Sequence, residues 1–505
     1  MKKERVLVIT GGHGPGLDGA RAIAEALVGD GMKVSQAEES SAIKRLDSGS
    51  YDCVVLTPNS HITEADVLSL EDFVRGGGGL VAVGAPGSVK GRDMIAGLLG
   101  CRVTEHSQPF DFKVGVTDAS HPIVHRLGEF LIHDEMSVLE KGADAHAVLA
   151  SWWGGRGVPM LLVRSEGKGR VAVLANGRTA QALAHPTWRR LLSRSARWSA
   201  GEDWSKKTVK VGIVGYGGAF NMGKLHAEAC ARARLLPVAV CDLDPKRVAI
   251  AKGELGDHVR TFSDLGRMLA ETDVELCVIV TPHNTHAPLS IQCLEAGRHV
   301  VTEKPYTITV AEATKVIETA KRVGRMATVF HNRRWDGDFL AMKRIVESGA
   351  IGDPFHIECF FGGFGEPRPD WWRSYKEHSG GAFYDWGAHF ADWVLSLMPH
   401  RIESVSGSVH KRVWHQVSNE DHIEAFVRFV GGSTASIQQS SIAAIPKSRF
   451  RILGTRGGIE QRTAEPNDGL RVVSFRDGQR TESTQPCLAS DWDAFWRNVA
   501  DHLIL

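Results

Sequence analysis

The sequence has no apolar run long enough to cross a membrane, and its charges almost cancel. Lysine and arginine together number 60, aspartate and glutamate 59, so the formal net charge is +1 over 505 residues. A membrane span needs about 20 consecutive apolar residues, and nucleic acids or acidic membrane surfaces attract strongly basic proteins. We therefore expect neither a membrane nor a nucleic acid among the partners.

Closely spaced cysteines are also missing. The eight cysteines are scattered and form no CxxC pair, whereas disulfide frameworks and structural zinc sites need regular spacings. The opening MKKERVLVITGG has only a short apolar stretch, which suits a first strand better than a secretory signal. We expect a cytoplasmic protein without disulfides and without a bound metal.

The length exceeds what one hydrophobic core holds, so we expect more than one domain. Apolar runs alternate with helical patterns over residues 1–200, which predicts a doubly wound α/β domain with a parallel sheet. Residues 201–208 are small, polar and charged and fit a linker. Renewed alternation over 209–331 predicts a dinucleotide-binding α/β domain. Strand-like runs separated by glycine turns over 332–505 predict an α+β domain with a large, mostly antiparallel sheet.

A glycine-rich turn joins a strand to a helix in the stretch VKVGIVGYGGAFNMGKLHAEA. Glycines at such a turn let the backbone approach a pyrophosphate, and the helix N-terminus offers unpaired N–H groups. The third glycine of a GxGxxG pattern would fall at Phe220, and Gly223 comes three residues late. A purely structural turn is the alternative. The predicted cofactor-binding residues of the turn are Gly215, Gly217, Gly218, Phe220, Asn221 and Met222.

Asp242 ends the next predicted strand, where a carboxylate accepts the ribose hydroxyls of a dinucleotide. A carboxylate there repels a 2′-phosphate, so NAD is the predicted cofactor. Arg247 nearby leaves NADP open. The alternative role for an aspartate here is a helix cap, which Asp244 before Pro245 fits better.

Three further segments carry polar side chains suited to chemistry. TPHNTH at 281–286 and Glu303-Lys304-Pro305 each follow a buried strand, and ligands of open α/β sheets gather at such carboxyl ends. In GGAFYDWGAHFAD, Asp385 and His389 are four residues apart and share one helix face. Taken singly, a Lys-Pro is often only a turn, and such a pair is often a surface hydrogen bond.

From about Val209 onward the chain resembles the Gfo/Idh/MocA oxidoreductases, most specifically in TPHNTH, Glu303-Lys304-Pro305 and GGAFYDWGAHFAD. The resemblance implies oxidation of a sugar or polyol carbinol at a nicotinamide. Lys304 and His389 would flank the reacting carbon, with Asp385 orienting the substrate. Either His389 or Lys304 could be the base. Members of the family usually continue through one more helix than this chain.

The same resemblance implies further site residues. Two adjacent arginines after the sixth strand resemble a family segment that faces the cofactor or substrate, and a Trp-Arg pair resembles one directed to the active site. A solvated strand end and core packing are the respective alternatives. The predicted cofactor contacts are Thr281, Pro282, His283, His286, Glu303, Lys304 and Arg333. The predicted substrate contacts are Arg334, Trp372 and Arg373.

The N-terminal part resembles ThuA-like proteins, whose fold is related to flavodoxin-like class I glutamine amidotransferases. The matching stretches are VLVITGGHG, FVRGGGGLVAVGAPG, HPIVHRL, His133-Asp134-Glu135, EGKGRVAVLANG and Arg197-Trp198. Amidotransferase chemistry needs a nucleophilic cysteine at a strand-to-helix turn that here reads VGAPG, with Ala85 in its place. Polar candidates for a second pocket are His13, His106, His121, Asp134 and Glu135, although each is more often a cap or a buried hydrogen-bonding residue.

The sequence as a whole predicts an NAD-dependent oxidoreductase that makes a keto sugar or a related ketone in carbohydrate catabolism. One alternative is a glycoside hydrolase or lyase that retains its NAD through transient oxidation. Another is a nucleotide-sensing protein without turnover. The resemblance also implies a homo-oligomer that acts on a small sugar or polyol.

Overall fold

The computed structural model describes residues 4–10, 16–37, 40–46, 49–58, 60, 62–84, 92–202, 204, 207–218, 220–398, 400–465 and 468–504. The chain forms two compact units, Met1–Lys207 and Thr208–Leu505. Within the described ranges, every helix falls short of the length and apolar character that a membrane span requires.

The first unit contains eleven strands and five helices among its described residues. The strands are β1 (Arg5–Ile9), β2 (Lys33–Ala37), β3 (Cys53–Leu56), β4 (Gly79–Val83), β5 (Cys101–His106), β6 (Phe110–Val116), β7 (Phe130–Asp134), β8 (Ser137–Lys141), β9 (His146–Trp153), β10 (Arg156–Glu166) and β11 (Gly169–Leu174). The helices are α1 (Gly16–Gly29), α2 (Glu64–Arg75), α3 (Arg92–Leu99), α4 (Ala180–Ala184) and α5 (Pro186–Ser199).

The main sheet of this unit has the strand order β2-β1-β3-β4-β11-β10-β9-β6-β7. The first five strands are parallel, and β3 and β4 are buried on both faces, as expected between helical layers. The predicted parallel sheet is confirmed for these five strands, but the sheet continues beyond them. The last four strands run antiparallel because hairpins such as β9–β10 and β6–β7 extend the sheet beyond β11.

The second unit begins with a parallel sheet of order β14-β13-β12-β15-β16-β17. Its strands are β12 (Val209–Val214), β13 (Leu235–Cys241), β14 (Arg260–Phe262), β15 (Leu276–Ile279), β16 (His299–Thr302) and β17 (Ala327–Val329). Its helices are α6 (Met222–Arg232), α7 (Pro245–Leu255), α8 (Leu265–Glu271), α9 (His286–Glu295) and α10 (Val310–Val323). The order reverses direction at β12, and β12, β15 and β16 bring their carboxyl ends to one edge. The predicted dinucleotide-binding architecture is confirmed, although the three-residue strand β14 and the helix α8 were not predicted.

An eight-stranded sheet of order β19-β20-β21-β18-β22-β23-β24-β25 follows, in which only β18 and β21 are parallel. Its strands are β18 (Pro354–Gly362), β19 (Ile402–His410), β20 (His422–Phe429), β21 (Thr434–Ser440), β22 (Phe450–Gly454), β23 (Gly457–Gln461), β24 (Leu470–Arg476) and β25 (Gln479–Gln485). The remaining helices are α11 (Gly337–Glu347), α12 (Lys376–Ser379), α13 (Trp386–Leu397) and α14 (Asp493–Ile504). The predicted α+β domain with a mostly antiparallel sheet is confirmed.

Helix α13 packs on this sheet through large aromatic side chains. Phe390 and Trp393 are fully buried, and Trp393 stacks on Phe339 of α11 at 4.8 Å while its ring lies 5.8 Å from Phe450 of β22. This packing fixes the first turn of α13, which carries Asp385 and His389, at one end of the sheet.

Candidate active site

The glycine turn after β12 is packed closely against the neighbouring strand. Gly215 has a φ of +99°, and a Cβ at this position would lie 2.6 Å from the carbonyl oxygen of Val280. Only glycine meets both conditions. A Cβ at Gly223 would lie 2.8 Å from the carbonyl oxygen of Gly215, so Gly223 permits the close helix-to-strand packing that the third glycine of the pattern supplies. The late glycine is thus compatible with the dinucleotide-binding turn.

The extra residues of the turn precede and begin helix α6. Phe220 is 58% exposed and meets Trp371 edge-on at 5.7 Å. Asn221 adopts the left-handed conformation that starts the helix, and Met222 is its first residue. Around Gly217 nothing lies within 4 Å of a built Cβ, whereas a Cβ at Gly218 would overlap the guanidinium of Arg247. The turn therefore has free space at Gly217, whereas the Arg247 guanidinium covers it at Gly218.

Asp242 lies next to this turn and holds it in place. Its carboxylate accepts the N–H of Tyr216 at 2.6 Å and that of Asp244 at 2.9 Å. Asp244 caps α7 through the N–H of Lys246, as its position before a proline predicts. Arg247 forms no hydrogen bond or ion pair through its guanidinium within the described residues. Asp242 thus contacts the turn at Tyr216, and the Arg247 guanidinium lies against it at Gly218.

The segment after β15 carries two buried histidines, one with a ring nitrogen that lacks a partner and one with both nitrogens hydrogen-bonded. His283 donates from Nδ1 to the carbonyl of Ser379 at 2.8 Å, while its Nε2 is buried without a partner. Burial lowers the pKa of His283 to about 3, so its ring is neutral. Both nitrogens of His286 lie at hydrogen-bond distance from carbonyl oxygens, those of Pro305 and Thr281. His286 thus braces two loops and has no free nitrogen for a cofactor.

Pro282 forms the start of the short turn 283–285. The hydroxyl of Thr285 donates to the carbonyl of Pro282 at 2.6 Å and lies 2.6 Å from the hydroxyl oxygen of Thr281. These bonds fix the turn on which His283 is carried. Thr281 and Pro282 therefore shape the carboxyl end of β15 through their backbone and hydroxyl groups.

Glu303 is buried under the site and is fully engaged. One carboxylate oxygen lies 2.8 Å from Nε2 of His226 on α6, and the other accepts the backbone N–H of Lys304 at 3.0 Å. The pKa of Glu303 is lowered because His226 and Lys304 outweigh the opposing effect of burial. Glu303 was predicted to touch the cofactor, and its carboxylate here joins His226 of α6 to the backbone of Lys304. His226 was not predicted.

Lys304, Asp385 and His389 come together at the carboxyl end of β16. The Lys304 ammonium forms an ion pair with the Asp385 carboxylate. Burial raises the pKa of Asp385, but Lys304 outweighs it and holds this pKa below its usual value. His389 is only 4% exposed, and burial together with the charge of Lys304 lowers its pKa well below the usual value. The predicted trio thus consists of an ion pair beside a neutral imidazole.

The two adjacent arginines after β17 point to different places. Arg333 pairs with Asp336 at 2.9 Å, and its guanidinium lies 4.5 Å from the ring centre of Trp386 beside His389. Arg334 forms a two-pronged ion pair with Asp392 at 2.8 Å and 2.6 Å and is half exposed. Arg334 was predicted to contact the substrate, and its charge is engaged by Asp392 of α13.

Trp372 and Arg373 lie between the glycine turn and the site. The ring of Trp372 meets His283 edge-on at 4.8 Å. The Arg373 guanidinium lies 4.4 Å from the centre of Trp372 and 5.4 Å from that of Phe220. No described residue forms an ion pair with Arg373. Its cation is therefore available to an anionic group bound near the turn.

His331 and Trp386 are further residues at the site that sequence reasoning did not single out. The ring of His331, just after β17, lies 6.1 Å from that of His389. Trp386 stacks on Phe361 at 4.6 Å and meets His389 at 5.6 Å. An aromatic directly after Asp385 in the sequence was the available signal for Trp386.

The polar candidates of the first unit form a separate group in which most charges are paired. Asp134 is buried and accepts backbone N–H groups of Gly177 and Thr179 at 2.5 Å and 2.9 Å. Glu135 pairs with Arg178 at 2.8 Å.

The histidines of this unit make similar local bonds. His106 lies 3.2 Å from the hydroxyl of Ser137, and His121 caps the short turn 122–124 and packs on Trp198. His13 and Ala85 fall outside the described residues.

A six-stranded parallel sheet with a glycine turn at the end of its first strand defines a dinucleotide-binding domain, here joined to an α+β domain. Residues 209–331 match the family described as "Oxidoreductase family, NAD-binding Rossmann fold", and residues 339–460 match "GFO/IDH/MocA C-terminal domain". The chain belongs to the Gfo/Idh/MocA family of oxidoreductases. Residues 5–199 match ThuA, described as "Trehalose utilisation", which confirms the predicted fusion.

Individual relatives agree with this assignment. The uncharacterized oxidoreductase YdgJ of Escherichia coli is 28% identical over 314 residues, 58% of this chain and 88% of that protein. The scyllo-inositol 2-dehydrogenase (NADP(+)) IolW of Bacillus subtilis is 30% identical over 324 residues, 59% and 86% respectively. The crystal structure of an NAD-binding protein from Listeria innocua has 30% identity and a TM-score of 0.53, covering 59% of this chain and 87% of that one. Three other curated oxidoreductases are matched over 59% to 60% of their length.

Proposed function

We propose that the second unit oxidises a secondary carbinol of a sugar or polyol to a ketone. The observation that carries the proposal is the Lys304–Asp385 ion pair beside the neutral, buried His389, at the carboxyl end of β16. A neutral imidazole can accept the hydroxyl proton, and an ammonium can stabilise the oxygen on which negative charge develops. Since Lys304 is engaged by Asp385, we assign His389 as the base and Lys304 as the hydrogen-bond donor.

The residues around the glycine turn fit a nicotinamide dinucleotide. The open side of Gly217 and the N-terminus of α6 offer N–H groups to a pyrophosphate, and the unpaired Arg373 lies next to Phe220 of the turn. When bound, the cofactor supplies the hydride acceptor. This chain's residues hold it against β12 and keep the reacting carbinol between Lys304 and His389.

We further propose that both NAD and NADP are accepted. Asp242 disfavours a 2′-phosphate, yet its carboxylate already accepts two backbone N–H groups. Arg247 lies free next to Gly218 and can pair with a 2′-phosphate. The relative IolW, whose name specifies NADP(+), is compatible with such use.

The substrate class follows from the chemistry of the site. Trp372 borders His283 and Trp386 borders His389, so apolar ring edges lie beside both imidazoles, as contact with the C–H groups of a sugar or inositol ring requires. The name of IolW identifies a polyol as the substrate of that relative. We therefore propose a cyclic sugar or an inositol as the substrate.

The test is absorbance of the reduced nicotinamide on mixing the protein with NAD or NADP and a panel of inositols, hexoses and disaccharides. We expect reduction with at least one cyclic polyol or sugar. The His389→Gln variant is the matched loss-of-base control. Absence of reduction across the panel, in a protein that binds the dinucleotide, would contradict the proposed function.

We also propose the functional organisation of the whole chain. The family matches end at residue 199 and resume at residue 209, which supports residues 201–208 as the linker between a ThuA-like domain and the oxidoreductase. Because ThuA is described by a carbohydrate process, we propose that both domains serve one carbohydrate pathway. Assaying products with the full chain and with a Glu135→Gln variant tests whether the first unit alters the oxidised sugar.

Self-association through the eight-stranded sheet is a further part of the proposal. Strand β19 is exposed along most of its length, with Val405 60% and Val409 58% exposed. Contiguous exposed apolar residues mark interaction surfaces. Light scattering is expected to give a mass above that of one 55.0 kDa chain, and Val405→Lys is expected to lower it. A monomer at micromolar concentration would contradict this part.

A further inference from the structure

Two imidazole rings lie next to each other at the site, and each has an unpaired buried nitrogen. The rings of His331 and His389 are 6.1 Å apart and inclined at 77°. Nδ1 of each ring is buried and has no hydrogen-bond partner. A neutral imidazole has one donor and one acceptor nitrogen, and leaving either unpaired in the interior costs about 1–3 kcal/mol. Two such atoms side by side need an explanation.

A single bridging water would satisfy both atoms. Ring centres 6.1 Å apart are too distant for most direct nitrogen-to-nitrogen bonds but within the span of one water that hydrogen-bonds to each ring. Buried waters typically serve polar groups that have no protein partner. The two rings and the water would form a continuous hydrogen-bonded chain.

Burial keeps the ring of His389 neutral, and the cations near it act in the same direction. Burial lowers its pKa most, and Lys304, Arg333, His331 and Arg449 lower it further. A proton taken up by this ring is therefore held weakly and must leave. His389 is only 4% exposed and has no carboxylate partner to receive it.

His331 is better placed to pass a proton to water. It is half-buried rather than buried. Burial lowers the pKa of His331, Asp392 raises it, Arg334 and Lys304 lower it, and Glu303 raises it. His331 thus experiences two carboxylates as well as two cations, whereas the charges that lower the pKa of His389 are all cationic.

We propose that His331 is a proton-relay residue that carries the proton accepted by His389 out of the closed site. The inference rests on the proposed function, in which the carbinol loses a hydride to the nicotinamide and a proton to His389. That proton binds Nε2 of His389 while Nδ1–H of the same ring is given to the bridging water. The water gives a proton to Nδ1 of His331, and Nε2–H of His331 is released to solvent. Each ring gains one proton and loses one.

The first test compares His331→Gln with the control His356→Gln. Glutamine retains hydrogen bonding but cannot take up and release the proton. We expect kcat of His331→Gln to fall roughly tenfold, less than the 10²–10⁴ of a direct general base, with KM values and NAD affinity within twofold of wild type. Added imidazole or formate buffer is expected to restore its rate. His356 pairs with Thr434 on the sheet, and its variant should behave as wild type.

A proton inventory on the unmodified protein provides a second measurement that does not depend on the folding of a variant. Rates in mixtures of H2O and D2O are expected to curve, because more than one proton moves, and to become linear in His331→Gln. A linear inventory in the wild type overturns the relay. So does a His331→Gln variant with unchanged kcat and no response to buffer.

His389→Gln separates this inference from the function on which it rests. If His389→Gln loses turnover while His331→Gln does not, only the relay fails. If His389→Gln retains full turnover, the assignment of the base in the proposed function fails as well.

Discussion

In both units polar side chains lie at the ends of strands, but the units differ in whether those side chains have hydrogen-bond or ion-pair partners. In the first unit, Asp134 accepts the N–H groups of Gly177 and Thr179, and Arg178 pairs with Glu135. The turn after β11 is thereby held together by its own residues. This is how a structural cluster is expected to be built, since buried polar groups are normally satisfied.

In the second unit the corresponding strand ends carry unpaired atoms. Nε2 of His283, Nδ1 of His331 and Nδ1 of His389 are buried without hydrogen-bond partners among the described residues. The cations of Arg247 and Arg373 form no ion pair with a described residue, although Arg373 packs on aromatic rings. Such atoms incur a cost that a bound molecule or water removes. The difference indicates that the second unit is built around a ligand, whereas the described strand ends of the first unit largely satisfy themselves.

The largest effect on the rate of oxidation is expected from Lys304→Ala. The variant removes the donor to the developing oxyanion, so kcat/KM should fall by roughly 10³, about 4 kcal/mol of transition-state stabilisation. NAD affinity, measured by nicotinamide fluorescence, should change little. The matched control Arg178→Ala in the first unit is expected to leave oxidation unchanged. Equal losses in both variants would break the distinction between the units.

Which strands and site residues could be predicted from the sequence depends on the pattern in which each of them occurs. Parallel strands such as β12 and β15 are apolar runs followed by glycine or polar turns, so their positions were predictable. The same holds for Lys304, Asp385 and His389, which lie at or near the ends of such elements. Strand β25 is exposed along its whole length and has no apolar alternation, so nothing in its sequence marks it as a strand.

The parts of the site that escaped prediction depend on distant partners. His226 lies within a helix, and only the fold brings it to Glu303, 77 residues further along the chain. Arg333 and Arg334 are neighbours of identical chemistry, yet one lies over Trp386 and the other pairs with Asp392 of α13. Adjacent residues on a short turn point in different directions, and composition does not reveal which one faces the site.

Asp134→Ala tests the hydrogen bonds that Asp134 accepts from residues 177–179 in the first unit. Removing its carboxylate leaves buried N–H groups at 177–179 without acceptors, which should cost about 3 kcal/mol of unfolding free energy. Thermal unfolding of this unit should shift down, while Asp134→Asn, which retains an acceptor, should lose less. NAD reduction measured below the transition should be preserved. A loss of reduction without a loss of stability would assign Asp134 to the reaction.

Acid sensitivity distinguishes the buried histidine of the site from surface histidines. The pKa of His283 is about 3 in the folded protein and about 6.5 when unfolded. The unfolded state therefore binds the extra proton, so this contribution to stability is complete above pH 6.5 and declines as pH falls toward 3. Between pH 7 and pH 5 the loss should be about 2 kcal/mol.

His283→Gln should flatten this pH dependence in urea unfolding of the second unit. The exposed residue His415 supplies the control, and His415→Gln should retain the wild-type slope. An unchanged slope in His283→Gln would show that its ring is not neutral and buried in solution.

Arg247→Ala tests the unpaired cation at the glycine turn. Losing one charge-assisted contact with a 2′-phosphate should raise KM for NADP about tenfold, or 1.4 kcal/mol, with KM for NAD within twofold. Steady-state rates with both dinucleotides provide the measurement. Equal increases for the two cofactors would indicate that Arg247 binds the pyrophosphate that they share.

The smallest effect is expected from Arg334→Ala, which separates Arg334 from its neighbour Arg333. The Arg334–Asp392 pair is half exposed, and such pairs contribute about 0.2–1 kcal/mol because solvent screens them. Unfolding free energy should therefore change little, and KM for the sugar or polyol should stay within twofold. Arg333→Ala, beside Trp386 and His389, should raise that KM more strongly. If the two effects were reversed, the ion pair on α13 would have to open in solution so that Arg334 reaches the substrate. Whether a side chain is paired would then not distinguish residues that bind the substrate from those that do not.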